Sequence, residues 1–127
     1  MVFVDTNVFM YAVGGRHPLR DEARSFFTES LDRHTPLATS AEVLQELMHA
    51  YLPVNRLGTL DAALSLVEAR VAVVWSVEPE DVTLARLLVD GYPGLGARDL
   101  LHLASCKRRD VAEIQTFDRA FKAAGGG

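Results

Sequence analysis

Apolar residues are distributed along the chain in two alternating textures. Short, almost wholly apolar runs occur at Val2-Phe3-Val4, Leu37-Ala38-Thr39, Val71 to Val77 and Val111 to Phe117. Between them, apolar residues recur every three or four positions. The first texture predicts strands buried on both faces, and the second predicts helices with one buried stripe.

Local signals sharpen the elements. Asp5-Thr6-Asn7 follows the first run with residues that favour helix caps, so a strand is expected to feed a helix through Val8-Phe9-Met10-Tyr11. Pro18 suits the opening of the next helix, where Leu19, Ala23, Phe26, Phe27 and Leu31 form one stripe. Arg16, Arg20 and Arg24 keep the same spacing on another face. Thr39-Ser40-Ala41-Glu42 fits a capping box before a helix that buries Val43, Leu44 and Leu47 and that Pro53 stops. Leu60, Ala63, Leu64 and Val67 predict a further helix, and the β-branched run from Val71 to Val77 is the clearest strand. Pro79 begins a helix to about Val89, Gly91 to Gly96 is a breaker-rich loop, and a helix from near Ala97 to Arg109 carries Asp99 in its first turn. A last short helix is expected over Asp118 to Ala124.

Alternation of strand and helix requires crossover connections. The predicted fold is therefore α/β, a three-layer α/β/α domain with a mostly parallel central sheet. Ligands bind such sheets beyond the carboxyl ends of the strands, where Asp5 and Asp118 fall. The 127 residues read as one domain over 1–127, with Gly125-Gly126-Gly127 expected to fray.

Composition adds exclusions. An apolar share of 49% and a charged share of 24% fit an ordinary globular chain. The single cysteine, Cys106, rules out an internal disulfide, and with no charged-then-apolar leader after Met1 a cytoplasmic protein is expected. No apolar run nears the ~20 residues of a membrane span. The formal charge of -4 lacks the basic footprint of a protein that holds nucleic acid by phosphate contacts alone. Two divalent cations would neutralise that charge and make an acidic site attractive to phosphate.

The acids that invite such cations are Asp5 at the end of the first strand, Glu46 within a helix, Asp99 opening another, and Asp118 just past the last strand. Were they ~5 Å apart at an effective dielectric of ~20, each ionised pair would repel by ~3 kcal/mol, and six pairs by ~20 kcal/mol at most. A whole domain has a stability of only ~5–15 kcal/mol. Such a cluster must bind cations or keep carboxyls protonated, and oxygen ligands favour Mg2+ or Mn2+.

Four motifs in order, Phe3-Val4-Asp5-Thr6-Asn7, Ser40 with Glu46, Asp99-Leu100-Leu101-His102-Leu103-Ala104 and Thr116-Phe117-Asp118-Arg119-Ala120-Phe121, give the chain a family likeness. It resembles PIN domains, and most of all VapC toxins of bacterial toxin-antitoxin pairs. The resemblance implies that Asp5, Glu46, Asp99 and Asp118 bind one or two Mg2+ or Mn2+ ions and that Thr6, Asn7 and Thr116 support them. It implies an endoribonuclease that cleaves RNA with metal-activated water, a VapB-like antitoxin partner and a homodimer.

Each residue also has a plainer reading. Asp5 and Asp118 suit turns or caps, Asp99 favours the positive end of a helix, and Glu46 suits a solvated face. Glu42, one turn before Glu46, is the cap in the proposed box, which leaves Glu46 as the primary ligand and Glu42 as a possible assistant. Arg16, Arg20 and Arg24, with Lys107, Arg108 and Arg109, guide RNA or simply line a solvated surface. His49 and His102 stand three residues after Glu46 and Asp99, the spacing of di-iron carboxylate bundles, but the strands argue against that all-helical fold. Both histidines are expected in the core or behind the ligands. A phosphatase with an aspartyl nucleophile would want an acid where Asn7 stands. A catalytically inactive PIN-like binding module is the non-enzymatic alternative.

Overall fold

The computed structural model describes residues 1–126 of the chain. In order, its elements are β1 (Val2–Val4), α1 (Thr6–Val13), α2 (Pro18–Asp32), β2 (Leu37–Ser40), α3 (Ala41–Tyr51), α4 (Leu57–Arg70), β3 (Val73–Trp75), α5 (Pro79–Leu88), a 3-10 turn (Val89–Gly91), α6 (Ala97–Arg108), β4 (Glu113–Gln115) and α7 (Arg119–Gly126). The helix reaches into the glycine end expected to fray, of which Gly127 lies outside the described residues.

The sheet has the order β3-β2-β1-β4 with every pairing parallel. Helices α1 to α4 pack among themselves, while α6 packs with α5 and α7, which gives the three-layer α/β/α arrangement. Side chains of a strand alternate between layers. Phe3 accordingly meets the second layer, its ring lying 5.6 Å from Trp75, 5.3 Å from His102 and 6.4 Å from Phe121. The central strands β1 and β2 are buried at every position, as their apolar character requires.

The edge strands depart from the sequence expectation. Val71 to Val77 contracts to Val73–Trp75, with Val73 and Val74 exposed, and Val111 to Phe117 contracts to Glu113–Gln115. The cause is register: β1 offers three residues, so β4 pairs only from Val2↔Glu113 to Val4↔Gln115. The stripe of α2 is narrower than its spacing suggested, for Ala23 and Phe27 are buried while Leu31 is exposed. Ser40, not Thr39, caps α3, its hydroxyl accepting from Val43 N at 3.4 Å. Thr39 instead donates to Val4 O at 2.9 Å and ties β2 to β1. Among the described residues no helix is long and apolar enough to cross a membrane.

Candidate metal centre

The parallel sheet delivers β1 and β4 side by side, and the chain leaves both at the same end. Asp5 is the first residue past β1 and caps α1, its Oδ1 accepting from Thr6 N at 2.8 Å. Its Oδ2 accepts from the Thr116 hydroxyl at 2.7 Å, just past β4. Asn7 laces the same two segments together: its Nδ2 donates to Thr116 Oγ1 at 3.2 Å and its Oδ1 accepts from Phe117 N at 3.2 Å. With its amide so engaged, Asn7 cannot serve the proton transfer that an aspartyl phosphatase needs. The parallel sheet likewise removes the all-helical di-iron bundle.

Helix α3 brings Glu46 over this point. Glu46 Oε2 accepts from Thr6 Oγ1 at 2.5 Å, and Oε1 lies 2.7 Å from His102 Nε2 on α6. The same imidazole nitrogen is 3.9 Å from Asp5 Oδ1. Asp99, one turn earlier on α6, and Asp118, at the start of α7, face the same cavity of about 550 Å³. All four acids singled out in the sequence therefore line one cleft.

Their placement is not equal. Ligand atoms of Asp5, Glu46 and His102 lie within 4.8 Å of one another, a tighter set than the four acids. Asp118 also spends one oxygen on its helix, Oδ1 accepting from Phe121 N at 3.0 Å. Glu42 sits one residue too early for the capping box it was expected to complete, because the cap is Ser40, and it does not line the cavity.

The electrostatics carry the signature of crowded carboxylates. Burial, reinforced by Asp5 and Asp118, pushes the Asp99 carboxyl up to about 6. Burial likewise raises Asp5, against the opposing pull of His102, Thr116 and the Thr6 amide. Burial works against ionised Glu46 too, but the hydrogen bond and charge of His102, with Thr6 and Arg98, hold its pKa below the ordinary range. For His102, burial opposes the charge, yet Glu46, Asp5 and Asp99 outweigh it and raise the imidazole. The His102 ring stands between Asp5 and Glu46, and its Nδ1 is buried without a partner.

The donor set fits a hard cation. Carboxylate oxygens dominate it, and repulsion among them favours an added positive charge. His102 was expected in the core or behind the ligands, and the structure places it against both Asp5 and Glu46. The sequence held a signal for this: residues 99, 102, 103 and 106 form one helical stripe, of which Leu103 and Cys106 are core. A histidine in that stripe needs a polar partner inside.

The basic residues part company. Arg16 precedes α2 and is not on its face, and Arg24 Nε donates to Ala12 O at 2.9 Å, holding the end of α1. Arg20 is half-buried with Nε unpartnered. Arg108 and Arg109 both bind Asp81, at 2.6 and 2.9 Å, so they are not free for RNA. Arg98, exposed on the rim beside Asp99, was not singled out in the sequence.

Comparison with known proteins finds relatives along nearly the whole chain. Residues 2–127 match the family described as PIN domain. The chain is 58% identical over 124 residues to Ribonuclease VapC23 of Mycobacterium tuberculosis, covering 98% of each chain. It is 36% identical over 121 residues to Ribonuclease VapC13 of the same species, covering 95% of this chain and 92% of that one. Among solved structures, a crystal structure of M. tuberculosis VapC20, described as a Sarcin-Ricin loop cleaving toxin, aligns with TM-score 0.76 at 21% identity over 98% and 95% of the two chains. VapBC2 from Rickettsia felis, bound to a DNA fragment from its promoter, aligns with TM-score 0.72 at 20% identity over 97% and 92%.

Proposed function

The chain belongs to the PIN domain family, as a VapC-type member, and from that premise we propose that it is a Mg2+- or Mn2+-dependent endoribonuclease, the toxin of a toxin-antitoxin pair. The observation that carries the reading is the convergence of Asp5, Glu46, Asp99 and Asp118 from four separate segments on one cleft. The 58% identity to a protein named as a ribonuclease supports the activity. A solved neighbour described as a toxin-antitoxin complex supports an antitoxin partner. A homodimer rests on the family resemblance, and a cytoplasmic location on the single cysteine, which can form no internal disulfide.

Asp5, Glu46, Asp99 and Asp118 would hold one or two ions, with Glu46 as a primary ligand. When bound, the ion supplies Lewis acidity that acidifies a water and offsets charge on the phosphate. The chain's own residues fix the geometry. Thr116 and the Thr6 amide hold the two oxygens of Asp5, Thr6 Oγ1 and His102 hold those of Glu46, and Asn7 locks the β4–α7 connection that carries Asp118. Asp99, raised to about 6, is the acid most ready to carry a proton near neutrality before a cation displaces it.

The test is cleavage of labelled single-stranded RNA by metal-free protein before and after Mn2+ is added. Cleavage that appears with Mn2+ and disappears in Asp5→Asn supports the reading, and undiminished cleavage in that variant refutes it. An intact but inactive wild type would favour the binding-module alternative.

A further inference from the structure

Next to the acidic cleft lies a second cavity of about 400 Å³ whose lining contains no carboxylate. The two cavities share Asn7 and Met10, so they adjoin across the first turns of α1. The second is walled by Arg16 and His17 from the α1–α2 connection and by Tyr51 and Arg56 from the end of α3 and the loop beyond it, with Tyr11 between them. Resting on the nuclease reading above, we propose that this cavity is a subsite for the nucleotide next to the scissile phosphate of single-stranded RNA. Arg16 and Arg56 contact its phosphates, and the Tyr11–His17 pair offers its base a stacking surface.

Three observations converge on a nucleotide. First, the cations are free: Arg16 and Arg56 form no ion pair among the described residues, in a chain whose formal charge is -4. Surface arginines in an acidic protein usually have acids beside them, and here none lines the cavity. Second, aromatic rings are interleaved with those cations. The Tyr11 and His17 rings are 4.7 Å apart, and Arg56 Cζ lies 5.7 Å from the Tyr51 ring. Cations that follow the backbone and rings that stack bases are the two parts of a site for single-stranded nucleic acid. Third, the size suits one nucleotide, since small-molecule sites span about 300–1,000 Å³.

Position adds the functional sense. The acidic cleft repels phosphate unless cations fill it, so it cannot by itself draw RNA in. A basic pocket sharing its wall supplies that attraction and fixes which phosphodiester bond reaches the acids. Arg16 was one of three arginines singled out by spacing in the sequence; the fold retains it, ties Arg24 to a backbone carbonyl and adds Arg56 from forty residues further along.

The experiment measures anisotropy of a fluorescein-labelled, mixed-sequence single-stranded RNA dodecamer against Asp5→Asn protein, which is expected to bind without cutting. It compares this background with Arg16→Ala/Arg56→Ala added, across a range of potassium chloride concentrations. Both arginines are exposed, so the fold should survive. The double substitution is expected to weaken binding at least tenfold at low salt and to flatten the plot of log Kd against log salt by about 1.4, two contacts of ~0.7 each. Arg16→Lys/Arg56→Lys should restore the slope. His17→Asn, which keeps a cap for α2, should weaken binding and leave the slope alone. Unchanged affinity and slope in the double alanine variant overturn the subsite. The nuclease reading is judged separately, by cleavage with Mn2+ in otherwise wild-type protein, so either can fail without the other.

Discussion

At the scale of single residues the site is a problem of like charges brought close, and its variants should behave accordingly. Glu46 holds hydrogen bonds to Thr6 and His102 inside the cleft, whereas Glu42 does not line it. Glu46→Gln is therefore expected to lower the cleavage rate by about a hundredfold or more, since losing a metal ligand should cost at least as much as losing a partner that orients one, and Glu42→Gln by less than about threefold. Equal losses in a side-by-side rate measurement would mean that both act on the ion. Asp99 gives a pH signature. Its folded pKa of about 6 lies above the ordinary 3.8, so the folded form takes up a proton that the unfolded chain releases. The stability this adds is complete below about pH 4 and lost as pH rises through 6. Asp5 and His102, also raised, act in the same direction, while Glu46, lowered, acts oppositely. Without divalent ions, thermal melts should show stability declining from pH 5 to pH 7, with a smaller decline in Asp99→Asn; equal declines would contradict the crowding. The four acids were legible in the sequence because each stands at an element boundary or on a helix in a known order. The place of His102 among them was less so, since a buried histidine and a ligand-side histidine look alike until the facing helix is known.

At the scale of elements, α6 carries both Asp99 and His102, and its far end is pinned by Asp81 on α5. Asp81 is wholly buried; its Oδ1 accepts from Arg109 at 2.9 Å and its Oδ2 from Glu78 N at 2.9 Å. Arg109 also donates to Ser105 O and Ser76 O and stands 5.0 Å from the Trp75 ring. One carboxylate thus joins β3, α5 and α6. Asp81→Ala removes the buried partner and leaves Arg108 and Arg109 only the exposed Glu78 carboxylate. It should cost about 3 kcal/mol in urea unfolding, the low end for a broken buried pair because Arg109 keeps that contact and some access to water. A loss under about 0.5 kcal/mol would show that the clamp is not structural. Asp81 did not stand out in the sequence, and Arg109, with the rest of the C-terminal basic run of α6, read as an RNA guide or solvated surface and not as a buried clamp. The pairing spans 28 residues and depends on how α5 folds back over α6. Helices and their order, by contrast, were legible from spacing, prolines and caps. Strand ends were not, because β3 and β4 stop where their neighbours run out of pairing positions, and a neighbour's length is not a local property.

At the scale of the whole molecule, an all-parallel sheet collects the ends of β1 and β4 and the starts of α1, α6 and α7 at one pole, and that pole gathers Asp5, Glu46, Asp99 and Asp118 in one cleft. A net charge of -4 that would repel RNA becomes compatible with it once cations occupy the pole. Cation binding to the folded form alone must also stabilise it, by about 2.7 kcal/mol when the ion is present at a hundred times its Kd. Saturating Mn2+ should therefore raise the melting temperature of the wild type and have little effect on a variant lacking Asp5 and Asp99; a rise of the same size in both would place the ion elsewhere. The most direct measurement of the central claim is a titration of the metal-free protein with Mn2+ followed by electron paramagnetic resonance of the free ion. Saturable uptake of one or two ions by the wild type, weakened at least tenfold in Asp5→Asn and in Glu46→Gln but unchanged in Glu42→Gln, is the predicted result. Failure of the wild type to take up Mn2+, or uptake indifferent to Asp5 and Glu46, would contradict it.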